Sequence, residues 1–171
     1  MPLRLARRFF PLLLALVGTP LHAEPCAEPL AATAVSGVEQ CLRMRQFGSE
    51  TPETFIVWLH GDVSSGGPAN YHFAIAEKAT AELGADTVRS VALVRPGYPD
   101  GSGNESGVAF GHGGRRDHYT DVNLRELAAA IERLKAHYAP KRTVLVGHSG
   151  GAASAPTRVV HSIHTHSATA I

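Results

Sequence analysis

Three runs of β-favouring apolar residues punctuate the chain. Residues 54–59 read Thr-Phe-Ile-Val-Trp-Leu, 90–94 read Ser-Val-Ala-Leu-Val, and 143–146 read Thr-Val-Leu-Val. None alternates with polar residues, so each predicts a strand buried on both faces. Each run stops abruptly, at His60-Gly61-Asp62, at Arg95-Pro96-Gly97-Tyr98 and at Gly147-His148-Ser149. Between the runs the period becomes helical. Ile75, Ala76, Ala79 and Leu83 predict a helix over 71–83. Leu124, Leu127, Ala128, Ile131, Leu134 and Tyr138 lie on one face of an amphipathic helix over 123–138. Asn123 is its expected cap, with Glu126 three residues on, and Pro140 closes it. Looser alternation over 38–47 predicts a further strand. Residues 24–37, rich in Ala, Pro and Glu, read as a lead-in, while 63–70 and 97–114 carry the Gly, Ser and Pro of loops.

The order is therefore strand, helix, strand, helix, strand. That order predicts an α/β domain over 38–155, with right-handed crossovers, a mostly parallel sheet and helices on both faces. Ligands of such sheets bind at the carboxyl ends of the strands. The three abrupt stops are those ends.

The first 23 residues change the picture. Arg4, Arg7 and Arg8 precede an apolar run from Phe9 to Val17, which is too short to span a bilayer comfortably, and Leu21-His22-Ala23 offers a small residue for cleavage. This reads as a secretory signal peptide cut after Ala23. It implies a secreted or periplasmic protein with no stable membrane anchor after cleavage. Its removal takes away three arginines and no carboxylate, so the formal net charge moves from +1 to −2. Such a chain has no electrostatic case for nucleic acid. Two cysteines, Cys26 and Cys41, follow the leader, and in an exported chain they are expected to pair. They lie in neither a redox pair nor a metal-ligand spacing, and no cofactor or metal is expected. His112, Arg115, Arg116, Asp117 and His118 include ligand types, but read as a solvated loop. No dinucleotide or Walker motif follows the first strand, which argues against nucleotide binding.

Chemistry concentrates at the third stop. Gly147-His148-Ser149-Gly150-Gly151 matches G-x-S-x-G, and a β-favouring run precedes it, as a nucleophile turn requires. Gly147 and Gly151 have the structural role of keeping the turn free of side chains. Taken with "WLHGD" (58–62), "LVRPGYPDGSGNESG" (93–107) and "GRRDHYTDVNLRELAAAIERL" (114–134), the sequence resembles the α/β-hydrolase superfamily over roughly residues 38–155. Pro99 stands where many members have a second glycine. The resemblance implies a serine hydrolase acting on an ester, amide or peptide bond of a small-molecule or peptide substrate. It carries Ser149 over as nucleophile and the Gly150 N–H as one oxyanion donor. The second donor falls to the backbone of Asp62 or Gly61. His60 is expected to hold the loop by hydrogen bonds, and His148 to point away from the serine.

The family order places an Asp or Glu and then a His after the nucleophile. No carboxylate follows Ser149, and composition changes sharply near residue 155 to a Ser/Thr/His-rich tail, 156–171, with His161, His164 and His166. Asp62 and Asp100 are the upstream substitutes to consider. These features predict a partial hydrolase fold that lacks the C-terminal strands, interrupted by truncation or frameshift and inactive as it stands. The alternative is a non-catalytic binding or scaffolding protein that retains the fold.

Overall fold

A computed structural model describes residues 25–64, 66–107 and 119–155. The expected signal peptide, the polar stretch from His112 to His118 and the tail from residue 156 lie outside the described residues. In chain order the elements are β1 (Leu30–Ala31), β2 (Ala34–Ser36), β3 (Cys41–Gly48), β4 (Thr54–Leu59), α1 (Tyr71–Leu83), β5 (Val88–Leu93), β6 (Tyr98–Pro99), β7 (Glu105–Ser106), α2 (Asp121–Tyr138), β8 (Arg142–Gly147) and α3 (Gly150–Ser154). Six strands form one sheet in the order β1-β2-β3-β5-β4-β8, and β6 pairs with β7 apart from it.

The three apolar runs are the parallel part of this sheet. β4 lies between β5 and β8, with Leu59 opposite Leu93 on one side and Gly147 on the other. That register brings all three strand ends level. The other pairings, β1 with β2, β2 with β3 and β3 with β5, are antiparallel. The expectation of a mostly parallel sheet thus holds for the strands that carry the site, and the sheet as a whole is mixed. The lead-in is the reason: residues 30–36 form a small hairpin that extends the sheet, too short to leave a periodic signature. Cys26 and Cys41 are joined by a disulfide that ties the start of this segment to β3.

The two long helices cover opposite faces. Phe55, Val57 and Leu59 of β4 and Val91 and Leu93 of β5 pack with Leu127, Ala130, Ile131, Leu134 and Tyr138 of α2. Fully burying each of the larger aliphatic side chains contributes about 1.5–3 kcal/mol. Helix α2 begins two residues earlier than its apolar period suggests. Thr120, not Asn123, is the cap, and its hydroxyl accepts from the Asn123 N–H at 3.3 Å. Glu126 does not close a capping box either. Its buried carboxylate accepts the N–H groups of Val38 (2.7 Å), Glu39 (3.2 Å) and Gln40 (3.1 Å), fastening the β2–β3 turn to the helix.

Helix α1 has the expected bounds but a different buried face. His72, Ala76 and Thr80 point inward, while Ile75 and Leu83 are 50% and 61% exposed. Close approach explains the choice: a Cβ on Gly48 of β3 would lie 2.7 Å from Thr80 Cγ2, so small side chains face the sheet here. No strand follows β8 among the described residues. β8 has β4 as its single neighbour, and it is half-exposed along most of its length while β4 is largely buried.

Candidate active site

The nucleophile turn is assembled from backbone contacts. The His148 N–H donates to Leu59 O at 3.0 Å, carrying the pairing one residue beyond β8. The chain then reverses, with Gly151 N–H on His148 O (2.8 Å) and Ala152 N–H on Ser149 O (2.9 Å). Ser149 takes φ 50° and ψ −118°, a strained conformation for a residue with a side chain. Its neighbours make room for that reversal. A Cβ on Gly147 would sit 2.5 Å from the Ala152 backbone, and one on Gly151 would sit 2.6 Å from His60 O. Ser149 is exposed while Gly150 and Gly151 are buried. The Gly150 N–H, at the head of α3, has no partner among the described residues.

The loop after β4 lies against this turn. His60 is fully buried and held at both ring nitrogens: Nδ1–H donates to Gly61 O (2.7 Å), and Nε2 accepts the Arg95 N–H (2.9 Å). A proton on Nε2 would face that N–H. Burial, with the Arg95 charge adding, pushes the His60 pKa down to about 3, so the ring is neutral. Gly61 packs so closely on the serine turn that a Cβ there would lie 3.1 Å from Ser149 Cβ. Its N–H, however, donates to the Tyr71 hydroxyl at 2.6 Å. Of the two backbone donors expected from sequence, Asp62 or Gly61, the Gly61 N–H is thus already engaged. The Asp62 N–H, with no partner among the described residues, remains.

Sequence reasoning expected His60 to hold this loop and missed the second tether, Arg95. Arg95 is fully buried, and its Nη2 reaches Asp62 Oδ1 at 2.6 Å. Tyr119 and Tyr98 donate their hydroxyls to the same carboxylate at 2.9 and 3.4 Å. Partial burial raises the Asp62 pKa, but the Arg95 and Tyr119 hydrogen bonds and the Arg95 charge outweigh it and hold the carboxyl below its usual range. Arg95 also donates through Nη1 to Ser154 Oγ (3.3 Å), which in turn donates to Gly150 O (2.8 Å). One buried cation thus joins the Asp62 loop to the helix behind Ser149. The signal was present: a charged residue directly ending a buried strand must find a partner.

No imidazole or carboxylate bonds the Ser149 hydroxyl among the described residues. Asp100 is spent on its own turn, accepting from Ser102 N–H at 2.7 Å. The Asp62 carboxylate is committed to Arg95 and the tyrosines. The His148 ring turns to Tyr71, with Nδ1 2.8 Å from the hydroxyl. What the described residues provide is a projecting serine beside two unpartnered backbone N–H groups.

The alpha/beta hydrolase family pattern matches residues 56–169. The chain belongs to this family. The match runs past residue 155 into the stretch read from sequence as a tail. Among solved structures, the chain is similar to a Xanthomonas campestris protein described as an α/β serine hydrolase without a lid, with 18% identity and a TM-score of 0.53 over 82% of this chain and 62% of that one. It is also similar to an epoxide hydrolase from an endophytic Streptomyces, with 14% identity and a TM-score of 0.49 over 82% of this chain and 37% of that one. The α/β-hydrolase chain described here thus spans less than two thirds of the length of either. No curated protein matches it.

Proposed function

We propose that this α/β-hydrolase chain carries the nucleophile half of a serine hydrolase site for ester, amide or peptide bonds, and that it does not turn over as the given 171 residues. The observation that carries the reading is the strained, exposed Ser149 at the head of α3, packed against a loop whose Asp62 N–H has no partner among the described residues. In such a site the serine attacks the carbonyl carbon, and the Gly150 and Asp62 N–H groups receive the charge that develops on oxygen. A fixed donor of this kind supplies on the order of 10²–10³ in rate. Without a base the serine stays protonated, and among the described residues no imidazole or carboxylate bonds its hydroxyl. Export belongs to the same proposal and is supported by the bonded Cys26 and Cys41, since disulfides persist in oxidising compartments.

The test supplies the base from outside. Residues 24–171 are treated with a fluorophosphonate probe with and without added imidazole, and adducts are mapped by mass. The expected result is imidazole-dependent modification at Ser149 that is absent from Ser149→Ala. No adduct at Ser149 under either condition favours the binding or scaffolding alternative and removes the nucleophile assignment.

A further inference from the structure

Tyr71 links the two halves of the site. It is the first residue of α1, and its hydroxyl accepts the Gly61 N–H at 2.6 Å and lies 2.8 Å from His148 Nδ1. The two rings meet edge to face at 5.8 Å. The His148 backbone is fixed, because its N–H and its carbonyl are both used, on Leu59 O and by Gly151 N–H, and the ring's contact is with Tyr71. A tyrosine hydroxyl carries one proton. With the Gly61 N–H on one acceptor position, two arrangements satisfy the pair: the hydroxyl donates to His148 Nδ1, or it accepts an Nδ1–H and gives its own proton to solvent. In the first, a neutral imidazole carries its own proton on Nε2. That nitrogen has no partner among the described residues, and the residue is exposed.

We infer that His148 is a substrate-binding residue, held by Tyr71 as an Nε2–H donor beside Ser149, and that it takes a hydrogen-bond-accepting oxygen close to the scissile carbonyl of the substrate. This rests on the reading of Ser149 as nucleophile and deepens it. In that arrangement His148 is not the base, because the imidazole's single lone pair faces Tyr71 and none is left for the serine. Tyr71 is a positioning residue, setting the tautomer of His148 and withdrawing the Gly61 N–H from the oxyanion site. The preference it creates is for acyl groups with an ether or carbonyl oxygen near the reacting carbon.

Two measurements test it on the chain as it exists. The first is the nitrogen-15 shift pattern of the His148 ring at a pH where imidazole is neutral. The expected pattern is a protonated Nε2 and an unprotonated Nδ1, relaxing in Tyr71→Phe toward the mixture of a free imidazole. A protonated Nδ1 in the unsubstituted protein overturns the inference, since the free lone pair would then sit on Nε2. The second compares imidazole-driven acylation of Ser149 by p-nitrophenyl methoxyacetate and p-nitrophenyl acetate, each corrected for the ester's own reactivity with imidazole. The methoxyacetyl preference should fall roughly tenfold in His148→Phe, the scale of one lost hydrogen bond, and survive in His148→Gln, which keeps a donor. An unchanged ratio in His148→Phe overturns the substrate contact. Failure of all acylation would instead count against Ser149, and the ring pattern would still report on Tyr71 and His148.

Discussion

His60 and His72 make the fold sensitive to mild acid. His60 has both ring nitrogens committed. His72 donates Nε2–H to Leu93 O at 3.2 Å, and its Nδ1 is buried without a partner. Burial pushes their pKa values down to about 3 and about 4. Both values lie below the unfolded histidine value near 6.5, so the unfolded state binds more protons as pH falls. Stability is complete above that value and is lost on acidification toward the folded values. Between pH 7 and pH 5 the two rings together should remove roughly 3.5 kcal/mol. Urea unfolding at the two pH values measures it, and His72→Leu should remove about half of the difference. A pH-independent midpoint would show that neither ring is held neutral. Asp62 acts in a lower window, because its depressed pKa costs stability only below the ordinary carboxylate range. Its larger role is to pair with Arg95. Asp62→Ala leaves a fully buried guanidinium without its carboxylate, and because that side chain is 44% exposed and Arg95 keeps Ser154 the expected loss is at the low end for a broken buried pair, about 2–3 kcal/mol by chemical unfolding.

At the level of elements, the nucleophile turn depends on the absence of side chains more than on their presence. Gly147→Ala would drive a methyl group into the Ala152 backbone, which has no flexible end to yield. It should cost about 1–3 kcal/mol and shift the amide signals of Ser149 and Gly150, an effect readable by NMR without any activity. Glu126→Ala should be comparably damaging, because it orphans three N–H groups of the turn between β2 and β3. The two cases mark what was legible beforehand. β4, α1, β5, α2 and β8 announced themselves through continuous or helical apolar periods, and the serine turn through its glycines. β1 and β2 did not, since strands of two and three residues carry no period. Glu126 looked like a capping residue because its spacing from Asn123 is a local signal, whereas its real partners are 86 to 88 residues away in sequence. Tyr71 and Tyr119 were invisible for the same reason, and Arg95 signalled the need for a partner without naming it: each acts through groups that only the parallel register and the helix start bring together.

Across the whole molecule, protection should be uneven. Among the described residues β4 is paired on both sides and β8 on one, so amide exchange should be slow throughout β4 and fast at the outward N–H groups of β8. At the far edge of the sheet the Cys26–Cys41 bridge closes a 15-residue separation, and its reduction should lower stability by roughly 3 kcal/mol in the chain-entropy model. Both effects concern the scaffold, whereas the proposed function rests on one residue, Ser149. The direct test is p-nitrophenyl acetate hydrolysis by residues 24–171, the unsubstituted chain beside Ser149→Ala, without and then with imidazole. Without imidazole the two rates should coincide. With imidazole, acetyl-enzyme should accumulate at Ser149 and nowhere in the alanine form. Steady, Ser149-dependent turnover in the absence of imidazole would contradict this, because it would require a base and an acid already seated within the chain.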